Sequence, residues 1–509
     1  MLKDTFIGEI RLFGGDFAPP GWALCNGQQL PIADYGDLFA LIGTTYGGGG
    51  DSFNLPDLRS RVPLHNNPGS AQLSLGYSGG EEDVVLQVGQ MPTHSHNVGC
   101  SETGGSDWPA GNSWGRATAN VYGIPGAQNI SMNPGMVTET GSGLAHDNQI
   151  PFLAVSYIIA LEGEFPGTAV VYAYISELRI FAYSFAPSNW ALCNGQSLAV
   201  NDYPELFKAI GYTYGQEGND FNLPNLLSRV PMHVGQGMPL GASGGELVHT
   251  LTVAEMPVHN HLATASTHSP DTHSPANAYW TANTGYRPYG PHDGERMSTA
   301  ALQPAGGNDS HDNMSPYLAL SVCICVSGEQ LLRVPYIGEI TMFACNYTPL
   351  GYEPCNGQLV PMASDLPLFM VIGYTYGGAP MGDFKLPNLQ AMAAMHWGQG
   401  QGLSLYAIGD TGGEPAVTLT IEELPTHTHT PSAHLPANSV HAMTRVWSSP
   451  GEVDSGPNYY AVGYENPVQM KERLIRHTGS GQPHNNLMPY LAVNFCISIG
   501  GQLPMAPEQ

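Results

Sequence analysis

Basic charge is the scarcest commodity in this sequence. Only 16 lysines and arginines stand against 42 acidic residues, a net charge of −26, and charged residues of either sign make up 11% of the 509. A nucleic-acid-binding face needs clustered lysine and arginine to displace counterions, so a large one is excluded. Docking to an anionic membrane is disfavoured for the same reason. No apolar run approaches the ~20 residues needed to span a bilayer. The opening MLKDTFIGEIRLFGG also lacks the apolar centre of a classical signal peptide, so work outside a cell requires another export route. The eight cysteines, at 25, 100, 193, 323, 325, 345, 355 and 496, include no CxxC pair and read as small buried hydrophobes. No nucleophile elbow, Walker loop, HExxH or Rossmann fingerprint occurs. The glycine-rich GGGGDSF at 47–53 lacks the lysine and helix of a phosphate cradle, and the acidic residues form no catalytic pair. These absences point away from an enzyme.

What is present is glycine, proline and repetition. The 63 glycines and 42 prolines interrupt almost every helical window, while a 42% hydrophobic content supplies real cores. IGEIRLF at 7–13 returns as ISELRIF at 175–181 and IGEITMF at 337–343. LCNGQ (24–28), LFALIGTTYG (38–47) and FNLPDLRSRVPLH (53–65) each return twice, as do MPTHSH (91–96) and HDNQIPFLAV (146–155). The repeat is a whole domain, far longer than the roughly 20–45 residues of a solenoid repeat. The boundaries fall at 1–166, 167–334 and 335–509. Within a unit, alternating Ile7–Phe13 reads as a strand, DLFALI before Gly43 as one short helix capped near Asp34 or Asp37, and PFLAVSYIIALEG as a buried strand.

The ordered blocks IGEI, GW-x-CNGQ, LF-x-x-IG-x-TYG, F-x-LP-x-L, GGE, MP-x-H-x-H and PYLA resemble the phage tail collar domain, which also occurs in bacterial proteins labelled microcystin-dependent. The resemblance covers nearly all of the chain, three times over. It implies a tail-fibre or tail-tip component, found extracellularly or on a virion tail. It further implies trimeric assembly, in which His-x-His pairs of some related fibres bind a metal on the threefold axis. Three units on one chain depart from the usual single copy. The fold class is therefore expected to be mainly β with short helices, as three α+β collar-like units in tandem. They would form a pseudo-trimer within one chain, the alternative being three beads that each trimerise with other chains. Unit three departs further: Trp22 and Trp190 are answered by Tyr352, and the arginines Arg59, Arg61 and Arg229 by Gln390 and Met392.

Each unit carries one HxH: His94 and His96, His259 and His261, His427 and His429. The spacing from the GGE glutamate is constant, Glu81 to His94, Glu246 to His259 and Glu414 to His427. On extended backbone, residues i and i+2 share a face, so each pair offers two imidazoles in one direction. Three pairs around an axis present six nitrogens, an octahedral cage for one divalent iron, nickel or cobalt ion, or for zinc, although structural zinc usually takes four ligands. A saturated shell makes the ion a staple rather than a catalyst. The alternative is that the imidazoles only hydrogen-bond in a crowded core. Two single-histidine sets, His65/His233/His396 and His146/His311/His484, read as hydrogen-bonded loop anchors, with a further metal site as the alternative.

The stretches between the last HxH histidine and the closing histidine share little between units. A fixed frame carrying variable loops is a common way to build a binding surface. Their aromatics are candidate recognition residues: Trp108 and Trp114 (with Tyr122), Tyr279, Trp280 and Tyr286 (with Tyr289), and Trp447, Tyr459 and Tyr460 (with Tyr464). Packing within their own loops is the alternative. Three functional readings follow. The first is a non-enzymatic tail-fibre-like adhesin touching a cell-surface glycan or protein receptor. The second is a subunit of a self-assembling extracellular filament whose partners are further copies of itself. The third, a metalloenzyme, has the least support.

Overall fold

A computed structural model describes residues 5–504, apart from 101–105, 110–111, 118–121, 124–128, 132–136, 167–171, 236–237, 266–278, 282–288, 291–294, 298–300, 328–333, 380–381, 435–445, 449–459, 462–467 and 470–474. The described residues are mainly β, with three seven-residue α-helices. The helices are Gly36–Ile42, Pro204–Ile210 and Leu366–Ile372, each stopped by a glycine. The expected aspartate cap is absent in the first, where Tyr35 occupies the cap without a side-chain bond; only Asp365 caps, accepting from the Leu368 amide. Each helix is held by burying one face, through Leu38 and Ile42 in unit one, so a cap is dispensable.

The apolar closing segments form the nine-residue strands Phe152–Ala160, Tyr317–Cys325 and Tyr490–Ser498, buried almost throughout. In unit one the second half of this strand pairs antiparallel with Glu9–Phe13 and Trp22–Leu24 of its own unit. Its first half pairs parallel with Ala393–His396 of unit three. The same exchange joins Val62–His65 to the closing strand of unit two, and Val230–His233 to that of unit three. The pairing therefore runs one to two, two to three and three to one, and closes.

The GGE motif belongs to this exchange. The second glycine of each motif has a positive φ and lies against a backbone carbonyl of the next unit. A Cβ on Gly80 would come 2.2 Å from the Ser315 oxygen, on Gly245 2.1 Å from that of Met488, and on Gly413 2.0 Å from that of Ile150. Both the left-handed backbone and the close approach demand glycine. Gly413→Ala is expected to cost about 2–3 kcal/mol, read as a lowered denaturant midpoint, whereas Ala at exposed Gly36, with open space around it, should change it little.

The first strands Glu9–Phe13, Glu177–Phe181 and Glu339–Phe343 meet one another as well, Glu9 opposite Phe181, Phe13 opposite Glu339 and Glu177 opposite Phe343. Their alternation is real, but both faces are buried. Ile10 and Leu12 join the main core, while Glu9 and Arg11 lie in a polar layer between units. Arg11 bonds Glu9 at 2.5 Å and Glu339 at 3.0 Å; Arg179 bonds Glu177 at 2.6 Å and Glu9 at 3.0 Å. Arg11 and Arg179 also lie over the rings of Trp22 and Trp190, 4.9 and 5.0 Å from their centroids. Unit three has Thr341 and Tyr352 at these two positions, their hydroxyls 3.5 Å apart. The cation and the ring it stacks on have been exchanged together, which accounts for the Trp-to-Tyr departure.

All eight cysteines are buried free thiols. Among the described residues no helix is long and apolar enough to cross a membrane, which says nothing of crossing by strands.

Candidate metal centre

The HxH segments lie where one unit bridges to the next: His94 pairs with Ala305, His259 with Thr478 and His427 with Thr140. This pairing keeps each pair extended, and the cyclic exchange brings all six imidazoles together, buried. Every imidazole neighbours all the others except one, at centroid distances of 4.7–5.6 Å. The excluded partners are His94 with His261, His96 with His427, and His259 with His429. That is the connectivity of an octahedron, with those pairs trans.

The other ring nitrogens orient the cage. Nδ1 of His94, His259 and His427 faces the carbonyl of its own unit's Pro92, Pro257 or Pro425 at 2.9–3.0 Å. Nδ1 of His96, His261 and His429 faces the carbonyl of Arg476, Thr138 or Gln303, each in a different unit, at 2.7–3.0 Å. A carbonyl only accepts, so Nδ1 carries the proton in all six and Nε2 is a bare acceptor. Nε2 of His94 is 3.3 Å from that of His259 and 3.2 Å from that of His429. Two bare nitrogens at that distance repel unless a cation sits between them. Metal–imidazole bonds of about 2.0–2.1 Å at right angles would separate cis nitrogens by about 3.0 Å. The donor set and its carbonyl-fixed tautomers fit a six-coordinate transition metal.

Burial, reinforced by the neighbouring imidazoles, pushes His94 and His261 down to about 3, His96 to about 2 and His429 to about 4. His259 and His427 are lowered as well, again chiefly by burial. Neutral imidazole is the ligand form, so protons do not compete for the cage near neutral pH.

The set His65, His233 and His396 consists of anchors. The Val322 amide donates to Nδ1 of His65 at 3.0 Å, Phe495 to His233 at 3.0 Å and Tyr157 to His396 at 3.2 Å, each tying one unit to the next unit's closing strand. Burial pushes all three down to about 4. Their ordinary value is near 6.5, so between pH 6.5 and 4 the unfolded chain binds more protons than the folded one. Their contribution is present above pH 6.5 and lost as pH falls towards 4. Each should add a slope of up to about 1.4 kcal/mol per pH unit. Unfolding curves from pH 7 to 4 should show this fall, and a smaller one for His65→Gln.

The aromatic candidates separate. Trp114, Trp280 and Trp447 are 2–3% exposed and pack on one another with centroids 4.5–4.8 Å apart, one from each unit. The three rings, one from each unit, form a shared buried core rather than an outward-facing surface. Trp108 is 47% exposed and remains available. Tyr279 and Tyr460 lie on the paired strands Tyr279–Trp280 and Tyr460–Ala461. Tyr286, Tyr459 and Tyr464 lie outside the described residues.

The family model described as Phage Tail Collar Domain matches residues 8–63, 176–231 and 338–394. Each match runs from the turn before the first strand into the strand after the LP block; the histidine cage and the closing strands lie beyond it. No curated protein and no solved structure gives a significant match.

Proposed function

Starting from a chain that carries three phage tail collar domains in tandem, we propose a non-enzymatic structural and adhesive component of the tail-fibre kind. One polypeptide takes the place of a trimer, and a six-histidine metal staple locks its units at their meeting point. The observation that carries this reading is the set of six buried imidazoles whose Nδ1 protons are all committed to carbonyls. Their Nε2 lone pairs are thereby left for one ion. Six nitrogens would leave that ion no open position for substrate, so its chemistry is to hold.

The variable segments of the three units differ in sequence, so a tip built from them would present three unlike surfaces to a glycan or protein receptor, with exposed Trp108 as one contact. Mass measurement in solution should give a single chain, and elemental analysis should find iron, nickel, cobalt or zinc at the cage. Fluorescently labelled protein should bind intact cells or a glycan array, and Trp108→Ala should weaken that binding. A solution trimer would overturn the one-chain reading. Filaments in negative-stain images, without receptor binding, would replace adhesion by self-assembly.

A further inference from the structure

We propose that His146, His311 and His484 form a second metal site, a four-coordinate one of the zinc class, separate from the six-histidine cage. Each of the three is 1% exposed, each comes from a different unit, and their donor nitrogens all lie within 4.8 Å of one another. Ring centroids are 5.2–5.5 Å apart, with the planes nearly perpendicular, so that the three rings pack edge to face around their meeting point.

Backbone pairing holds the three in place. His146 sits opposite Val84, His311 opposite His249 and His484 opposite Val417. Val84 belongs to an apolar cluster with Leu86, Leu251 and Leu419, so the histidines stand beside a dry wall. His146 donates from Nδ1 to the Asp147 carbonyl at 3.0 Å, which leaves its Nε2 bare. That Nε2 has no hydrogen-bond partner among the described residues; nor does Nε2 of His484, nor either ring nitrogen of His311. Buried polar atoms are nearly always satisfied, so three convergent unsatisfied imidazoles call for a ligand. His146 offers a lone pair at Nε2, and His311 and His484 are each able to offer one as well, which a metal ion at their meeting point would accept from all three at once.

Three nitrogens do not saturate an ion. Zinc takes a fourth ligand, for which water or a nearby donor serves. His249 stacks on His484 at 5.2 Å and lies 3.4 Å from the Glu255 carboxylate. Glu255 also acts electrostatically on His311, and Glu423 on His146. Only unit two carries a histidine at the position of His249, with valine at the other two. The surroundings of the site are therefore asymmetric although its three ligands are equivalent. A four-coordinate ion needs its nitrogens about 3.3 Å apart, so a small inward rotation of the rings accompanies binding.

The two sites differ in coordination number, and cobalt(II) reports that difference, since four-coordinate cobalt absorbs visible light far more strongly than six-coordinate cobalt. The full chain is stripped with chelator and titrated with cobalt(II) alone. We expect an intense four-coordinate spectrum from one equivalent and a weak six-coordinate one from a second. His311→Gln and His484→Gln should each abolish the intense bands and one equivalent, while one equivalent of weakly absorbing cobalt stays with the protein through gel filtration and the circular dichroism spectrum is unchanged, which shows that the cage and the fold survive. Absence of intense bands in the unaltered chain would overturn the proposal, as would their persistence in both variants. Loss of the weak bands alone would count against the six-histidine cage and leave this site standing.

Discussion

Stripping the ion from the six-histidine cage is expected to lower the thermal midpoint of the chain by about 10–15 °C. Structural zinc in small domains is worth roughly 10–16 kcal/mol. For a chain of this length the unfolding entropy at the midpoint is about 1 kcal/mol per degree if unfolding is cooperative, which sets the size of the shift. Two contributions act together: the bound ion is lost, and six bare nitrogens, some only 3.2–3.3 Å apart, are left facing one another. Returning iron, nickel, cobalt or zinc should restore the midpoint, and a magnesium control should not, because a soft nitrogen cage offers magnesium none of the oxygen ligands it requires. The double variant His94→Ala/His96→Ala should melt well below the metal-loaded parent, and added metal should recover only the part owed to the site of His146, His311 and His484. An unchanged midpoint after elemental analysis confirms removal would exclude the staple.

The second large effect is expected at the polar layer between the first strands. Arg179 bridges Glu177 and Glu9, both fully buried, and its own side chain is 2% exposed. Arg179→Ala should cost about 3–5 kcal/mol, because it takes the arginine from buried Glu177 and one of the two arginines from buried Glu9, in a medium that solvates neither carboxylate. The loss should persist at high salt, since buried pairs are poorly screened. The comparison is Arg59→Ala, which breaks the 2.9 Å pair with Asp57, whose side chains are 36% and 30% exposed; that loss should be under about 1 kcal/mol. Urea unfolding of both variants at low and high salt checks the pair. Equal effects would mean that the layer is no more desolvated than the surface.

The histidine cage was legible in the sequence because an HxH pair on extended backbone carries its geometry in its spacing, and the same pair occurs in all three units. The strand positions, the buried closing strand and the threefold repetition could be read in the same way, since period and glycine placement are local properties. The direction of the exchange could not: nothing in FNLPDLRSRVPLH tells whether its strand completes its own sheet or the next one. The tryptophans show the same limit. Trp108 and Trp114 look alike in a glycine-rich segment, and only the strands supplied by the other units decide that one is exposed and the other buried. His146, His311 and His484 were visible as equivalents, yet their meeting point depends on the same unforeseen exchange. The pairing of Thr341 with Tyr352 mirrors the stacking of Arg11 on Trp22, a side-chain contact that no local sequence pattern encodes.

The cyclic exchange bears on how the protein is made. The closing strand of unit one takes its parallel partner from Ala393–His396, so the earliest third of the chain to leave a ribosome cannot be finished until most of the last third has emerged. Pairings that distant in sequence are slow to form and leave strand edges open meanwhile. Nascent chains arrested before residue 393 should therefore be far more sensitive to protease than the released protein, first domain included.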